Sequence, residues 1–328
     1  MRYKCVDSGS EKCPCTLMEW GTCYTCKMAA GGICDCGGNG QWQGVCPFSE
    51  YLLNGKKTQL YSDEREFTIS SYSKYSDELY VLHIDVTPGF AERCSRPGAF
   101  VMIKSLGFDV PLSVIKVNVA GESFVEIGLQ VIGPKTKALL ARIERTIGGE
   151  GIKSVNLEMK GPFYSGVVNP QLLDVKRNKA ASTSIAARGM AIAPLINCLK
   201  WMFGSLDGAA EKIEDGSFLI DYGTVPDKFI SDYLGQKLIA KSLRVHFTDG
   251  MEDVWELGEK SEIFIFLASP FYTDMLENRH PEFVNKTVFA NHGNMCCGRG
   301  ICGSCSYVDR DGTVVKKCKC NSTVPMVK

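Results

Sequence analysis

The sequence has little of what usually announces a function. Histidine occurs only four times in 328 residues, as His83, His246, His280 and His292. None stands in an acid-base or nucleophile arrangement, so an enzyme reading built on histidine has no support, and only His292 is near a candidate centre. Net charge is absent: 37 Lys and Arg offset 37 Asp and Glu, which removes the electrostatic signature of a nucleic-acid or anionic-membrane partner. Long apolar runs are missing as well. The best, MAIAPLINCLKWMFG, is interrupted by Pro194, Asn197 and Lys200, and the opening MRYKCVDSGS has no apolar core of signal-peptide length. A soluble cytoplasmic protein is expected.

Cysteine is nearly missing from the middle of the chain, where only Cys94 and Cys198 occur, yet the total is sixteen. These two read as small buried apolar residues. The others are concentrated at the ends, eight in residues 5 to 46 and six in 296 to 320. Without an export signal, such clustering favours metal or iron-sulfur ligation over disulfides. The length allows two domains and a small appended module.

In NMCCGRGICGSCSY, Cys297 is followed by four residues, then Cys302, two residues, Cys305, twelve residues and Cys318. A tight loop supplying three thiolates, with a fourth arriving later, is the ligand pattern of a 2Fe-2S cluster. Gly298, Gly300 and Gly303 permit the positive φ angles such a loop needs and let amides approach the sulfides. Zinc is the competing occupant, but zinc sites usually pair two CxxC knuckles, and only Cys302 and Cys305 form one here. Cys296 and Cys320 adjoin these ligands and define an alternative register. YVDRDGTVVKKC reads as a hairpin, turning at Asp311-Gly312, that returns Cys318 to the loop.

The N-terminal cysteines are Cys5, Cys13, Cys15, Cys23, Cys26, Cys34, Cys36 and Cys46. CVDSGSEKCPC and CKMAAGGICDC share one spacing, offset by 21 positions, which suggests a duplicated unit with two ligand sets. Eight thiolates suit two four-cysteine sites, of zinc or of iron and sulfide, with disulfides a third option. The segment is too short and polar to bury a useful core, so something must hold it. Spacing does not reveal which cysteines group together. Trp20, Tyr24 and Trp42 are read as packing around the site, and YLLNGKK as a linker.

Across about residues 60 to 320 the chain resembles the electron transfer subunit of dihydroorotate dehydrogenase and its relatives, the small subunits of sulfide dehydrogenases and bifurcating transhydrogenases. All belong to the ferredoxin-NADP reductase superfamily. The resemblance implies a β barrel plus α/β fold: an FAD-binding antiparallel barrel, a nucleotide-binding α/β domain and a C-terminal 2Fe-2S loop, here with an added N-terminal Cys-rich metal module. The expected boundaries are 1–55 for that module, 56–166 for the barrel, 167–285 for the α/β domain and 286–328 for the cluster segment. Short β-rich runs from EFTISSYSKYSDELYVLHIDV to SVNLEMKGPF support the barrel, and from about residue 180 a strand, helix, strand pattern supports the α/β domain.

RPGAFVMI looks like the family's Pro-Gly-x-Phe-Val strand. VPLSV stands where the family has Arg-Pro-x-Ser against the flavin, so Pro111, Leu112 and Ser113 match while Val110 replaces the Arg that neutralises the FAD diphosphate. VIGPKT resembles the diphosphate turn, keeping Gly133 and Thr136, with Lys135 positioned to supply the missing charge. The glycine-rich pyridine-nucleotide turn appears as ARGMAIAPL, keeping Gly189, Ala193 and Pro194 but holding Ala187, Arg188 and Ala191 elsewhere. The Cys-Gly-Pro motif appears as ASPFYTDML, with Ala268 and Ser269 substituted. These departures leave NAD(P)H binding open. The resemblance implies an iron-sulfur flavoprotein that moves electrons between FAD and a 2Fe-2S cluster and on to a partner redox subunit in a hetero-oligomer. The alternative is a non-catalytic metal-binding scaffold on a degenerate reductase fold.

Overall fold

A computed structural model describes residues 5–34, 46–59, 64–147, 154–174, 182–249, 251–291, 295–308 and 312–321. His292, Cys36, Trp42 and Asp311 lie outside the described residues. The chain divides into two units. One is Glu64–His292, and the other joins both ends of the chain, Met1–Asp63 with Gly293–Lys328.

In the first unit, alternating apolar residues build six strands: β1 (Glu64–Lys74), β2 (Leu79–Asp85), β3 (Phe100–Ser105), β4 (Phe108–Asn118), β5 (Phe124–Gln130) and β6 (Val155–Phe163). They close into an antiparallel barrel in the order β1-β2-β5-β4-β3-β6. Strand alternation sends Val101, Ile103, Val110, Leu112 and Val114 into one core with Leu82, Ile84, Ile127 and Leu157. Phe100, Met102, Pro111 and Ser113 alternate with them and take the outer face. Between β5 and β6 the chain forms the helix Pro134–Ile147, which buries Leu139, Leu140 and Ile143. The β-rich reading of this region contained no such helix.

The α/β part is a sheet in the order β10-β9-β8-β11-β12-β7. Its strands are β7 (Val167–Val168), β8 (Thr183–Arg188), β9 (Phe218–Asp221), β10 (Leu243–Arg244), β11 (Ile263–Leu267) and β12 (Thr287–Ala290). All neighbours are parallel except β7 with β12. Both faces are covered, as a parallel sheet requires. Ile185, Ala187, Ile265 and Leu267 face one core, while Ala186, Phe264 and Phe266 face the other. The first core also holds Leu79, Val81 and Ile115 of the barrel and the helix Ile192–Phe203. That helix is fixed to the barrel by the buried Asn197, whose Nδ2 donates to the Val114 carbonyl at 3.1 Å.

The second unit has short helices, Thr16–Glu19 and Pro47–Leu53, and a hairpin of β13 (Ser306–Val308) and β14 (Val314–Lys316). Its apolar cluster is Val315 and Cys320 with Tyr24 and Tyr307 against them. Polar contacts also join its two segments. The Val6 amide donates to the Lys319 carbonyl at 2.8 Å, and the Lys319 ammonium pairs with the Asp7 carboxylate, the two side chains 5% and 9% exposed. Gly300 is wedged where a Cβ would sit 2.9 Å from Lys319 Cγ and 3.1 Å from Leu17 Cδ1.

Candidate functional site

The C-terminal loop winds through Gly298, Gly300 and Gly303 at φ of 66°, 75° and 75°. That path points amides inward: the Arg299 N–H donates to Cys297 Sγ at 3.3 Å and the Cys318 N–H to Cys305 Sγ at 3.4 Å. β14 pairs with β13 in the register Ser306↔Lys316 to Val308↔Val314, which brings Cys318 back beside Cys305. The Cys318 thiol hydrogen-bonds both Cys297 and Cys305 and thereby holds their thiols well below the usual range. Cys302 hydrogen-bonds Cys297, and burial pushes its own thiol up. The four cysteines singled out by spacing are thus gathered in one loop. Among the described residues, no group of three or more His, Cys, Asp or Glu is arranged to hold a metal ion. A two-iron cluster interposes iron and sulfide between its ligands, so its test is a thiol quartet with inward amide donors, and the loop fits it.

Of the N-terminal cysteines, Cys5 and Cys26 are buried, Cys13, Cys15, Cys23 and Cys46 half-buried, and Cys34 exposed. Cys46 precedes the helix Pro47–Leu53. Burial opposes its ionisation, but hydrogen bonds from the Ser49 hydroxyl and the Phe48 and Ser49 amides prevail and lower its thiol. Cys5, Cys13, Cys15 and Cys23 line one cavity together with Asp7, Lys12, Leu17 and Tyr24. Cys94 and Cys198 are buried in the two apolar cores, where burial raises each thiol to about 12.

On the barrel, Leu112 turns inward with Val110, which is 3% exposed in the core. An arginine at position 110 would therefore need a strand of different register. The Pro111 and Ser113 positions remain on the outer wall. The Lys135 ammonium lies 4.9 Å from the centre of the Phe108 ring, so the helix start and the start of β4 share one end of the barrel. The Thr136 hydroxyl accepts from the Gly133 amide at 3.2 Å and donates to its carbonyl at 3.1 Å, which fixes the turn. A Cβ at Gly133 would meet nothing within 4 Å, leaving open space in front of that turn. An open glycine turn with an exposed lysine beside it has the donor chemistry that a phosphate group needs.

The crevice at the carboxyl ends of β8, β9 and β11 is built differently. Arg188 Nε donates to Asp221 Oδ2 at 2.7 Å. The Asp221 carboxylate also accepts from the Gly223 amide at 2.8 Å and the Phe247 amide at 2.9 Å. Burial works against the Asp221 charge, but these amides and Arg188 outweigh it and hold the carboxyl below its ordinary range. The Arg188 guanidinium lies 5.2 Å from the Tyr272 ring centre. After Gly189, at φ 59°, a short 3-10 turn runs into the helix Ile192–Phe203, and the Ile192 cap bonds back to the Gly189 and Met190 carbonyls. Ile192, Ala193 and Pro194 are buried, and so is Ala268. The Arg188 Nε is thus committed to Asp221, while a Cβ at Gly189 would meet nothing within 4 Å. Asp221, Tyr272 and Lys319 were not singled out from sequence. Only Asp221 carried a signal, as the acid ending the strand-like run GSFLIDYG.

No protein-family model matches the chain, and no curated protein sequence matches it. Solved structures match in fold. One is the NADH-dependent reduced ferredoxin-NADP oxidoreductase of flavin-based electron bifurcation, with 18% identity and a TM-score of 0.52 over 77% of this chain and 85% of that one. Another is phthalate dioxygenase reductase, described as modular for electron transfer from pyridine nucleotides to 2Fe-2S, with 14% identity and a TM-score of 0.50 over 79% of this chain and 96% of that one. The closed barrel and mostly parallel sheet are therefore the ferredoxin-NADP reductase-like two-domain fold expected from sequence.

Proposed function

We propose that this chain is an iron-sulfur flavoprotein electron-transfer subunit, holding FAD on the barrel and a 2Fe-2S cluster in the C-terminal loop. The observation that carries this reading is the loop Cys297–Cys318, with glycines at positive φ and amides aimed at sulfur, on a chain with a ferredoxin-NADP reductase-like fold. Bound FAD supplies two-electron chemistry and the cluster one-electron chemistry. The protein's part is positional. Ser113 and the Pro111–Leu112 strand orient the ring, Gly133, Lys135 and Thr136 hold the diphosphate, and Cys297, Cys302, Cys305 and Cys318 hold the iron.

The bonding of Arg188 to Asp221 supports a source of electrons other than NAD(P)H, and in this reading the electrons enter and leave through partner redox proteins in a hetero-oligomer. Gly189 and Pro194 then serve the fold of the turn. The test is an anaerobic absorbance titration of the purified chain with NADH, NADPH and dithionite. Bleaching of flavin and cluster by dithionite alone is the expected result. Bleaching by either nucleotide overturns the relay and makes the chain a reductase; a colourless protein favours the scaffold.

A further inference from the structure

The glycine loop before Cys302 is held by a lysine from the hairpin that follows it. We propose that Lys316 is a positioning residue for the C-terminal cluster. Its ammonium fixes the Gly300–Ile301 peptide with the Ile301 amide toward the Cys297 sulfur, and thereby raises the potential at which the site accepts an electron. The inference deepens the proposed function and rests on a cluster being held by Cys297, Cys302, Cys305 and Cys318.

The connection runs through one peptide bond. Lys316 Nζ donates to the Gly300 carbonyl at 2.5 Å. The cis peptides among the described residues are Cys13–Pro14 and Gly161–Pro162, so the Gly300–Ile301 bond is trans, with its carbonyl and its N–H pointing in opposite directions. On the far side, the Ile301 amide hydrogen-bonds Cys297, together with the amides of Arg299 and Cys302. An ammonium at one end of a peptide dipole and a thiolate at the other polarise the same group, and each contact strengthens the other.

The fold selects Lys316 for this place. β13 and β14 pair Ser306 with Lys316, and a Cβ at Gly303 would lie 3.8 Å from Ser306 Oγ, so the loop runs beside that pair. The next lysine, Lys317, instead sets its ammonium 5.3 Å from the centre of the Tyr307 ring. Gly300 is closed on its other side, where a Cβ would meet Lys319 Cγ and Leu17 Cδ1. Among the described residues the Lys316 ammonium has no carboxylate partner, and its hydrogen bond goes to the Gly300 carbonyl. One added electron makes a four-thiolate site more negative, and both a hydrogen bond to sulfur and a nearby uncompensated cation favour that state.

The test is a redox titration of anaerobically purified full-length protein, with dithionite as reductant and ferricyanide as oxidant, followed by electron paramagnetic resonance. Iron and sulfide are measured on the same samples. Lys316→Met and Lys316→Gln should keep both and lower the reduction equilibrium constant by about tenfold, a fall of 59 mV for one electron. Lys316→Arg should restore most of the loss. Lys317→Met, which removes the same charge without touching the Gly300 carbonyl, should shift the potential much less. An unchanged potential in the two neutral Lys316 variants overturns the proposal. An equal shift in Lys317→Met overturns it too, because charge alone would then account for the effect. If neither neutral variant retains iron, Lys316→Arg decides: a cluster at the wild-type potential supports the role, and loss of iron there as well rejects it. Wild-type protein without iron and sulfide rejects the C-terminal cluster and the proposal with it, whereas a wild-type cluster indifferent to Lys316 rejects the proposal alone.

Discussion

Arg188 and Asp221 are bonded through Nε and Oδ2 at 2.7 Å across the ends of two adjacent parallel strands, β8 and β9. The bond ties together the carboxyl ends of these two strands. It also makes a stability prediction. Asp221 has its folded-state carboxyl held below the ordinary range, so its contribution is present at neutral pH and is lost as acidification passes down through the folded value. Asp221→Asn should flatten the acid limb of a thermal-stability profile and lower stability at neutral pH by about 1–3 kcal/mol, the penalty for breaking a buried charged hydrogen-bond set. Calorimetric melts across the acid range check both.

The turn proposed to hold the FAD diphosphate predicts an affinity effect. Lys135 is exposed and its ammonium contacts only the face of the Phe108 ring among the contacts described for it, so Lys135→Glu should leave the fold intact. It should weaken FAD retention by at least about tenfold, equivalent to ~1.4 kcal/mol, through loss of a charge-assisted contact. Fluorimetric titration of flavin-stripped protein measures this, and iron content should not change.

Gly98 predicts a steric limit. It sits at φ 67°, and a Cβ there would lie 2.6 Å from the Val167 amide nitrogen and 2.8 Å from Val167 Cγ2. Gly98→Ala should cost at least ~2 kcal/mol, combining a left-handed backbone penalty with a clash that backbone atoms cannot relieve. Denaturant melts of unit-length protein with cofactors bound check it.

The Lys319 and Asp7 pair predicts non-additivity. Removing one partner leaves a buried uncompensated charge, so Lys319→Met should destabilise by about 3–5 kcal/mol. The double variant Lys319→Met with Asp7→Leu should recover part of that loss. A double-mutant cycle by chemical denaturation reads the coupling, and strict additivity would contradict it.

What was legible in the sequence follows from how local each signal is. The ligand spacing of Cys297 to Cys318 and its glycines are short-range features, and the loop gathers those residues. The barrel strands were visible as short β-rich runs separated by turns, whereas the close approach of Gly98 to Val167 was not read from RPGAFVMI, because it joins residues far apart in the chain. The helix Pro134–Ile147 was hidden by attention to its first turn, although Leu139, Leu140 and Ile143 have helical spacing. The meeting of the two chain ends, with Lys319 against Asp7, depends on contacts some three hundred residues apart that no local pattern encodes. The same holds for the Arg188-Asp221 bond: the sequence showed a missing glycine, and only the fold shows what the arginine does instead.

The most direct measurement of the central claim is FAD and acid-labile sulfide content per chain in anaerobically purified wild-type and Cys302→Ser protein. The account predicts FAD equimolar with both chains and a drop in sulfide in the variant. Wild-type protein without flavin, or with zinc and no sulfide, would contradict it.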